Sequence, residues 1–370
     1  MSHKGKWLEK GRSYFLQRMD QHPAQAENTA RLPCTDRKIA AAINAQESHW
    51  FLDAVTPSTE RQLGFTVINL ARRGWQHTAA ELQELNPEVL LTCWSTPSLN
   101  ETWLESDQCR LRYVCHLTGS VRHIVPRRFI ERGGLVTNWG GIPSAAVAEH
   151  ALLLALAALR NLPRWPEVFT ERAANSERME RLRIRTLIGR RVGIHGFGQV
   201  AAALVRLLAP FNVSVTAFSP GVPPAVFARA GVAQARDLRE VFAGSDVVFE
   251  CEALTARTRH TVTASELAAL PDGAVFVNVA RAGLVDEDAL LGEARTKRIR
   301  VALDVFATEP LAPTSPWLQV PGVMLSPHIA GPTYDQYSLC TEIALTNIEH
   351  YLMKREMTFL VTPEIYDRST

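Results

Sequence analysis

The chain has 370 residues, of which 46% are hydrophobic and 21% charged, an ordinary globular composition at a length typical of two or three domains. Its 40 basic and 38 acidic side chains leave a formal net charge of +2, which excludes the strongly basic surface of a nucleic-acid-binding protein. The six cysteines show no Cys-x-x-Cys spacing, so we expect reduced thiols and no metal site. The opening residues carry no apolar leader, and Glu149 and His150 interrupt the longest apolar run, 145–159. We therefore expect a cytoplasmic protein without a membrane partner.

The first 36 residues differ in character from those that follow. Residues 1–36 are polar and aperiodic, and we expect an N-terminal extension outside the core. From Arg37 on, apolar runs predict strands at 38–43, 66–70, 89–94 and 113–117 and a helix at 79–85. Strands that alternate with helices imply a parallel sheet.

A long helical pattern links this first unit to a second one. Pro143 opens the pattern, which runs to about residue 160, and the polar segment 161–190 predicts a surface excursion or a subunit-contact arm. The second unit alternates strands at 192–196, 213–218, 246–251, 274–279, 300–305 and 323–326 with helices at 199–208, 237–243, 264–269 and 286–297. This alternation predicts a doubly wound parallel sheet.

A glycine-rich turn joins the first strand and the first helix of the second unit. It reads Gly196-x-Gly198-x-x-Ala201. The first glycine would allow a tight turn, the second would let a pyrophosphate approach the backbone, and the alanine would permit close helix–strand packing. Because the turn lies between a predicted strand and a predicted helix, it predicts a dinucleotide site, with Gln199 and Val200 at the helix N-terminus.

A last helical pattern, 334–353, is expected to return to the first unit. The predicted fold class is α/β, with two Rossmann-like or flavodoxin-like domains on parallel sheets and a discontinuous substrate domain. The expected boundaries are 1–36 for the extension, 37–138 with 334–370 for the substrate-binding (lid) domain, and 139–333 for the dinucleotide-binding Rossmann domain.

Three charged side chains follow strands of the second unit in otherwise apolar surroundings. Arg281, Glu309 and His328 each lie just beyond the carboxyl end of a predicted strand. In open α/β sheets this edge faces the ligand crevice, so we expect the three to meet there. A histidine is the natural proton donor at neutral pH, a carboxylate beside it would orient it, and a guanidinium binds a carboxylate through two hydrogen bonds. The set fits hydride transfer between a nicotinamide and a 2-keto acid.

Five motifs in a fixed order carry a resemblance to a known family. They are Gly196-x-Gly198-x-x-Ala201, Ala253-Leu-Thr255-x-x-Thr258, Asn278-Val-Ala-Arg281-x-Gly283-x-Val-Asp286, Asp304-Val-Phe-x-x-Glu309-Pro-Leu and Pro327-His328-Ile-Ala-Gly331. From residue 37 to about 333 the chain resembles the D-isomer-specific 2-hydroxyacid dehydrogenases.

The resemblance assigns roles to several of these residues. It implies that His328 exchanges the proton with the substrate oxygen, that Glu309 pairs with His328, and that Arg281 holds the substrate. It also implies that Asp304 contacts the nicotinamide amide. Two further residues, Thr255 and Ala280, would line the cofactor channel.

The strand after the glycine-rich helix bears on the choice of cofactor. Ser219 stands where NAD-preferring relatives place an acid for the ribose hydroxyls, and the next arginine, Arg229, lies ten residues on. NAD is therefore favoured and NADP is left open. Two acids, Glu250 and Glu252, replace the apolar segment usual in the family, and the sequence offers no account of them.

Two loops of the first unit are assigned to the substrate. Ser120, Val121 and Arg122 stand where the family binds the substrate carboxylate through backbone N–H groups. Arg122 replaces an acid common in the family and has two interpretations. It makes a second anion contact for a substrate with another acidic or polyhydroxylated end, or it forms a surface salt bridge. Trp94, in the loop 92–97, either shapes the pocket or packs.

We therefore expect an NAD(P)-dependent oxidoreductase that interconverts a 2-keto acid and a D-2-hydroxy acid while its two domains close around both ligands. The resemblance also implies a homodimer formed through about 145–185. Two alternatives stay open. One is a dinucleotide-sensing interaction protein similar to the C-terminal-binding corepressors, which keep the same triad. The other is an inactive paralogue, marked by the unusual acids and the missing ribose acid.

Overall fold

The computed structural model describes residues 39–53, 65–69, 75–170 and 175–368. The predicted extension 1–36, and with it Cys34, lies outside the described residues. Arg37–Thr370 form one unit, which contains a sheet of five strands and a sheet of seven. Each sheet is the centre of a lobe, and each pairs its strands in parallel.

The first sheet has the strand order β2-β1-β3-β4-β5. Its strands are β1 (Ile39–Ile43), β2 (Phe65–Asn69), β3 (Val89–Thr92), β4 (Tyr113–His116) and β5 (Leu135–Thr137). Every residue of β1, β3 and β4 is buried, which explains why they are continuous apolar runs without alternation. The strand order is that of a doubly wound, flavodoxin-like domain.

The second sheet has the strand order β12-β11-β10-β9-β6-β7-β8. Its strands are β6 (Arg191–His195), β7 (Ser214–Phe218), β8 (Ala233–Gln234), β9 (Val247–Glu250), β10 (Val275–Asn278), β11 (Arg300–Leu303) and β12 (Met324–Leu325). The chain winds to one side of β6 and then, from β9, to the other. The switch point therefore lies between β6 and β9, where such sheets bind ligands at their carboxyl edge.

Helices pack around both sheets. In the first lobe they are Ala45–Glu47, the π-helical turn Ser48–Leu52, Trp75–Leu85, Glu101–Glu105, Arg127–Glu131, Tyr337–Leu352 and Pro363–Arg368. In the second lobe they are Ser144–Leu159, Trp165–Thr170, Asn175–Leu182, Gln199–Leu208, Pro224–Arg229, Leu238–Ala243, Ala264–Ala269 and Glu287–Thr296. Short 3-10 turns are Leu162–Arg164, Ala209–Phe211, Ala282–Leu284, Pro316–Gln319 and Tyr334–Gln336.

Alternate residues of the second sheet belong to two separate hydrophobic cores. Val247 and Phe249 of β9 pack in the core that includes the helices Ser144–Leu159 and Gln199–Leu208. Val248 packs in the other core, with residues of Leu238–Ala243 and the helices that follow it. Because side chains alternate along a strand, Glu250 points to the same side of the sheet as Val248.

The helix Ser144–Leu159 connects the two lobes and is rich in alanine. Ala148, Ala151 and Ala155 are fully buried, and their small side chains let the helix lie close to Gln199–Leu208. No single described helix is both long and apolar enough to cross a membrane. Ser144–Leu159 together with Leu162–Phe169 meets those criteria of length and composition only as a pair bent by 49°.

The C-terminal segment returns to the first lobe. Thr341, in the helix Tyr337–Leu352, donates a hydrogen bond to the backbone oxygen of Phe51 at 2.7 Å, and the hydroxyl of Tyr351 donates to Glu88 at 2.8 Å. Leu360 then forms an antiparallel bridge with Thr137 at the end of β5. The lobe around the first sheet is therefore built from two separated parts of the chain.

The predicted strands agree with the described ones to within two residues at each end. The short strands β5 and β8 were not predicted, because two or three residues are too few for an apolar pattern to show. The helix predicted at 79–85 begins earlier, at Trp75, and the final helix begins at Tyr337 after a 3-10 turn.

Candidate active site

A cleft of about 830 Å³ opens at the carboxyl edge of the second sheet, and residues of the first lobe line its other side. It brings together nine predicted residues: Trp94, Ser120, Gly198, Gln199, Val200, Ala280, Arg281, Asp304 and His328. The remaining predicted residues, Gly196, Ser219, Thr255, Val121, Arg122 and Glu309, do not line it. Other residues that line the cleft were not among the predicted site residues; they include His123, Trp139, Cys251, Tyr337, Arg368 and Glu252, the last noted in the sequence only as an unusual acid.

The glycine-rich turn after β6 leaves open space at a helix N-terminus. Gly196 has a φ of +88°, and a Cβ on it would lie 2.4 Å from the backbone nitrogen of Glu252, so a side chain is excluded there. A Cβ on Gly198 would meet nothing within 4 Å, and this residue caps the helix Gln199–Leu208 without a side-chain hydrogen bond. The N–H groups of the first helical turn therefore suit an anionic pyrophosphate, and the residues present fit a dinucleotide.

His328 and Glu309 form a hydrogen-bonded pair at the cleft. Nδ1 of His328 lies 2.5 Å from Oε2 of Glu309, while Oε1 of Glu309 accepts a hydrogen bond from the N–H of Phe306 at 2.9 Å. The loop after β11 thus fixes the carboxylate, and the carboxylate fixes the imidazole. Because Nδ1 is engaged, Nε2 is the ring nitrogen that remains for proton exchange with a ligand.

Asp304 holds the loop that carries His328. It is fully buried, and its carboxylate accepts hydrogen bonds from the N–H groups of Ile329 at 3.0 Å and of Ala330 at 2.9 Å. His328, next to these donors, has a φ of +54°, which residues other than glycine rarely adopt. The two backbone hydrogen bonds stabilise this conformation and so keep the imidazole at the cleft.

His150 supports Asp304 from the helix Ser144–Leu159. Nε2 of His150 lies 2.7 Å from Oγ of Ser326 and 3.4 Å from Oδ1 of Asp304, and Ser326 also bonds the same carboxylate. Burial raises the pKa of Asp304, but hydrogen bonds from His150, Ser326 and the backbone outweigh burial and hold that pKa below its ordinary value. The carboxylate is therefore charged when it binds the loop.

Arg281 reaches the cleft from the loop after β10. Asn278 braces this loop, because its side chain donates to the oxygen of Arg281 at 3.1 Å and accepts from the N–H of Ala280 at 3.0 Å. Burial lowers the pKa of Arg281, and the charge of Glu309 opposes that effect. A guanidinium stays charged at neutral pH. A partly buried cation thus lies near the His328–Glu309 pair, where it can bind an anion.

Of the predicted substrate loop, only Ser120 lies at the cleft. Val121 is buried in the core of the first lobe. Arg122 is exposed, and its charge acts on the carboxylate of Asp367. A hydrogen bond from Arg127, with the charges of Arg127 and Arg122, lowers the pKa of Asp367. The structure therefore places Arg122 near this carboxylate and not in the cleft.

Aromatic side chains line part of the cleft. Trp94, Trp139 and Tyr337 all face it. Trp94 stands edge-on to Trp139 with ring centroids 6.0 Å apart, and Trp50 stacks on Tyr337 with centroids 5.7 Å apart. Sequence motifs had marked only Trp94. The other aromatic residues come from the interlobe turn and the returning C-terminal helix, where no pattern pointed to a site.

Ser219 and Thr255 lie beside the cleft. Ser219 is buried, and its hydroxyl donates a hydrogen bond to Glu252 at 2.7 Å. Thr255 forms a tight turn with Thr258, whose hydroxyl accepts from the N–H of Thr255 at 2.7 Å and donates to the oxygen of Ala253 at 2.5 Å. Both residues therefore brace the loop after β9.

Glu250 and His195 form a buried ion pair below the glycine-rich turn. They are neighbours on β9 and β6, and Nδ1 of His195 lies 2.7 Å from Oε2 of Glu250. Burial lowers the pKa of His195, but the charge and the hydrogen bond of Glu250 outweigh burial, so the net pKa is raised. Oε1 of Glu250 also accepts a hydrogen bond from the N–H of Glu252 at 3.0 Å. Glu250 is thus a structural partner of the turn.

Removing this carboxylate is expected to destabilise the fold. Glu250→Ala should lower the free energy of unfolding by about 3–5 kcal/mol, because it leaves His195 buried without its partner. The raised pKa of His195 sets the pH dependence: its contribution is complete below its unfolded value of 6.5 and is lost as the pH rises through the folded value. In urea unfolding, the loss of free energy of unfolding in Glu250→Ala relative to the wild type should therefore be larger at pH 6 than at pH 9.

The matched control is Glu84→Ala, which removes the same side chain from an exposed position on Trp75–Leu85. We expect this control to change the free energy of unfolding by less than about 0.5 kcal/mol. Equal stability of Glu250→Ala and the control at both pH values would contradict the assignment of a buried ion pair.

The described cysteines, Cys93, Cys109, Cys115, Cys251 and Cys340, are free thiols. Burial raises the pKa of Cys115 to about 11 and that of Cys340 to about 12, so these thiols are unreactive at neutral pH. Within the described part of the chain, no group of three or more His, Cys, Asp or Glu side chains is placed to hold a metal ion.

The chain is similar in sequence to several known proteins. The sequence model described as "D-isomer specific 2-hydroxyacid dehydrogenase, NAD binding domain" matches residues 152–330. D-3-phosphoglycerate dehydrogenase of Methanocaldococcus jannaschii is 30% identical over 223 residues, 60% of this chain and 42% of that protein. Hydroxypyruvate reductase of Thermotoga maritima is 29% identical over 259 residues, 68% of this chain and 81% of that protein. The chain spans less than half the length of the phosphoglycerate dehydrogenases that it matches.

Solved structures share the fold. A glyoxylate reductase from Paecilomyes thermophila superposes with a TM-score of 0.71 at 22% identity, over 89% of this chain and 100% of that one. The predicted α/β fold with two parallel-sheet domains is thereby confirmed. The match to an NAD-binding domain also confirms NAD as the expected cofactor.

Proposed function

We propose that this chain, whose residues 152–330 match the model of the D-isomer specific 2-hydroxyacid dehydrogenase NAD-binding domain, interconverts a 2-keto acid and a D-2-hydroxy acid. The observation that carries the proposal is the His328–Glu309 pair, which meets Arg281 and the open glycine-rich turn at one cleft. When bound there, the cofactor supplies or accepts the hydride at C2 of the substrate.

Arg281 binds the substrate carboxylate in the proposed reaction. Its loop is braced by Asn278, so the guanidinium is positioned before the substrate arrives. Backbone N–H groups around Ser120 approach the same carboxylate from the first lobe. Closure of the cleft excludes water and strengthens both contacts.

His328 moves the proton. In the direction of reduction, Nε2 of the protonated ring donates to the carbonyl oxygen, and in the reverse direction it accepts the proton of the hydroxyl. Glu309 holds Nδ1 and stabilises the charged ring, so the tautomer and the orientation are both set before reaction. Asp304 positions His328 through the backbone of its loop.

The cofactor is held by the second lobe in this proposal. The N-terminus of Gln199–Leu208, with Gly198 and Val200, binds the pyrophosphate. Ala280 and Asp304 line the cleft and would hold the nicotinamide, and Thr255 braces the neighbouring loop. We assign residues 139–333 to this dinucleotide-binding domain, and residues 37–138 with 334–370 to the substrate-binding domain.

The partners in this proposal are a small 2-keto or 2-hydroxy acid and a second copy of the chain. Leu153, Phe169 and Met179 are exposed apolar side chains within the segment 145–185, which favours a homodimer formed there. A monomer in light scattering would contradict this contact. We place the enzyme in the cytoplasm, where it draws on the soluble nicotinamide pool.

Oxidation of NADH and of NADPH with a panel of 2-keto acids tests the proposed activity. The panel holds glyoxylate, hydroxypyruvate, pyruvate and longer sugar-derived keto acids, and the loss of reduced cofactor is followed by absorbance. We expect turnover of at least one substrate, and D configuration at C2 of every product that has a stereocentre there. Cofactor binding without turnover of any would favour the dinucleotide-sensing alternative, and binding of neither cofactor would favour an inactive paralogue.

A further inference from the structure

The end of β7 lacks the acid by which dinucleotide-binding sheets hold ribose. In such sheets an Asp or Glu about 20 residues after the glycine-rich turn bonds the 2′-hydroxyl, and its charge disfavours a 2′-phosphate. Ser219 occupies this place and carries no charge. A carboxylate nevertheless lies directly beside Ser219.

Glu252 brings that carboxylate from the loop after β9. Its Oε2 accepts a hydrogen bond from Oγ of Ser219 at 2.7 Å, and its Oε1 accepts one from the N–H of Ala253 at 2.9 Å. Because β6 lies between β7 and β9, the side chain crosses the end of β6 to reach Ser219. A Cβ on Gly196 would clash with the backbone of Glu252, so the loop that carries Glu252 can approach the end of β6 only because residue 196 is a glycine.

The carboxylate of Glu252 is fixed and accessible. Its own N–H donates to buried Glu250, which is held in turn by His195, so the backbone is fixed as well as the side chain. Glu252 lines the cleft together with Gly198 and Gln199. Each carboxylate oxygen keeps a lone pair after accepting one hydrogen bond, and a pair of ribose hydroxyls can donate to them.

We propose that Glu252, positioned by Ser219, binds the adenosine ribose hydroxyls and makes the protein select NAD(H) over NADP(H). The acid that the end of β7 lacks is thus supplied by the neighbouring strand end across β6. The inference rests on the nucleotide-binding part of the proposed function and is independent of the reaction.

The charges around Glu252 act in the same direction. Among the described residues, the arginines that line the cleft are Arg281 and Arg368, from the loop after β10 and the C-terminal helix. The segments after β6, β7 and β9 contribute no arginine or lysine to the lining of the described cleft. A 2′-phosphate next to Glu252 would therefore be repelled without a compensating cation.

Binding titrations of Glu252→Gln test the proposal without any turnover. NADH and NADPH are titrated by fluorescence, and ADP-ribose and its 2′-phosphate, which lack the nicotinamide, by calorimetry. We expect the wild-type protein to bind NADH about 100-fold more tightly than NADPH. In Glu252→Gln the affinity for NADH and ADP-ribose should fall about tenfold, since a charge-assisted hydrogen bond is lost, and the affinity for the 2′-phosphorylated ligands should hold or rise.

Two further variants control the result. Glu356→Gln makes the same change at an exposed position outside the cleft and should leave every affinity unchanged. Ser219→Ala keeps the charge of Glu252 but removes the hydrogen bond that positions its carboxylate. This variant should lower the affinity for NADH about threefold, and NADH should still bind more tightly than NADPH. If Glu252→Gln does not fold, as judged by a thermal melt, an unchanged NADH affinity in Ser219→Ala overturns the proposal.

The outcomes separate this proposal from the proposed reaction. An NADH to NADPH preference that is the same in the wild type and in Glu252→Gln overturns the role of Glu252, whatever substrates are reduced. A preference that collapses in Glu252→Gln supports it, even if no 2-keto acid is turned over. A wild-type protein that binds neither cofactor overturns both.

Discussion

His328→Ala is expected to lower kcat for the best 2-keto acid by about 10²–10⁴-fold, the range typical of a lost general acid. The variant keeps the glycine-rich turn and Arg281, so the affinity for NADH should stay within about twofold. The physical reason is that Nδ1 is held by Glu309 while Nε2 is placed for proton transfer, and alanine offers neither. Steady-state kinetics and a fluorescence titration of NADH measure the two effects.

His260→Ala is the matched control. His260 is exposed, has a left-handed φ of +51° like that of His328, and does not line the cleft. We expect this variant to keep wild-type kcat. If His328→Ala and His260→Ala retained the same turnover, His328 would not be the proton donor.

Arg281→Gln is expected to lower kcat/KM by about 10²–10⁴-fold. The guanidinium offers two charge-assisted hydrogen bonds to a carboxylate, each contributing about 1.5–3 kcal/mol, and the neutral amide cannot replace them. Arg281→Lys should recover only part of the loss, because an ammonium is a point charge without the planar fork. Kinetics with the substrate found in the keto-acid panel measure both variants.

A methyl ester of that substrate distinguishes binding of the carboxylate from a general effect on the cleft. The wild-type enzyme should reduce the ester far more slowly than the acid, whereas Arg281→Gln should treat the two almost alike. A variant that still discriminated between acid and ester as strongly as the wild type would show that another group binds the carboxylate.

The predicted residues that line the cleft share a simple origin. Buried parallel strands are continuous apolar runs, and the carboxyl ends of such strands meet at one edge of the sheet. Arg281 and His328 each follow such a run, so their convergence did not depend on knowing any side-chain contact. Glu309 does not line the cleft, and its link to the site is the hydrogen-bonded contact with the ring of His328.

Side-chain direction and long-range pairing explain what the sequence did not reveal. The partnership of Glu250 with His195 depends on the register of β9 against β6, which a buried run does not encode. Arg122 lies in the expected loop, yet its side chain lies near Asp367, a residue that only the C-terminal return brings close. Tyr337 reaches the cleft for the same reason, from a helix whose apolar spacing predicted packing alone.

The left-handed backbone conformation of His328 lowers the stability of the fold. A non-glycine residue in the left-handed region costs about 1–2 kcal/mol, and glycine would adopt the same φ of +54° freely. Selection for a durable fold alone would favour glycine at this position, at the expense of the bond to Glu309 and of the imidazole. If His328 moves the proton as proposed, this position has lower thermodynamic stability than a glycine would give, and the protein gains a reactive imidazole there.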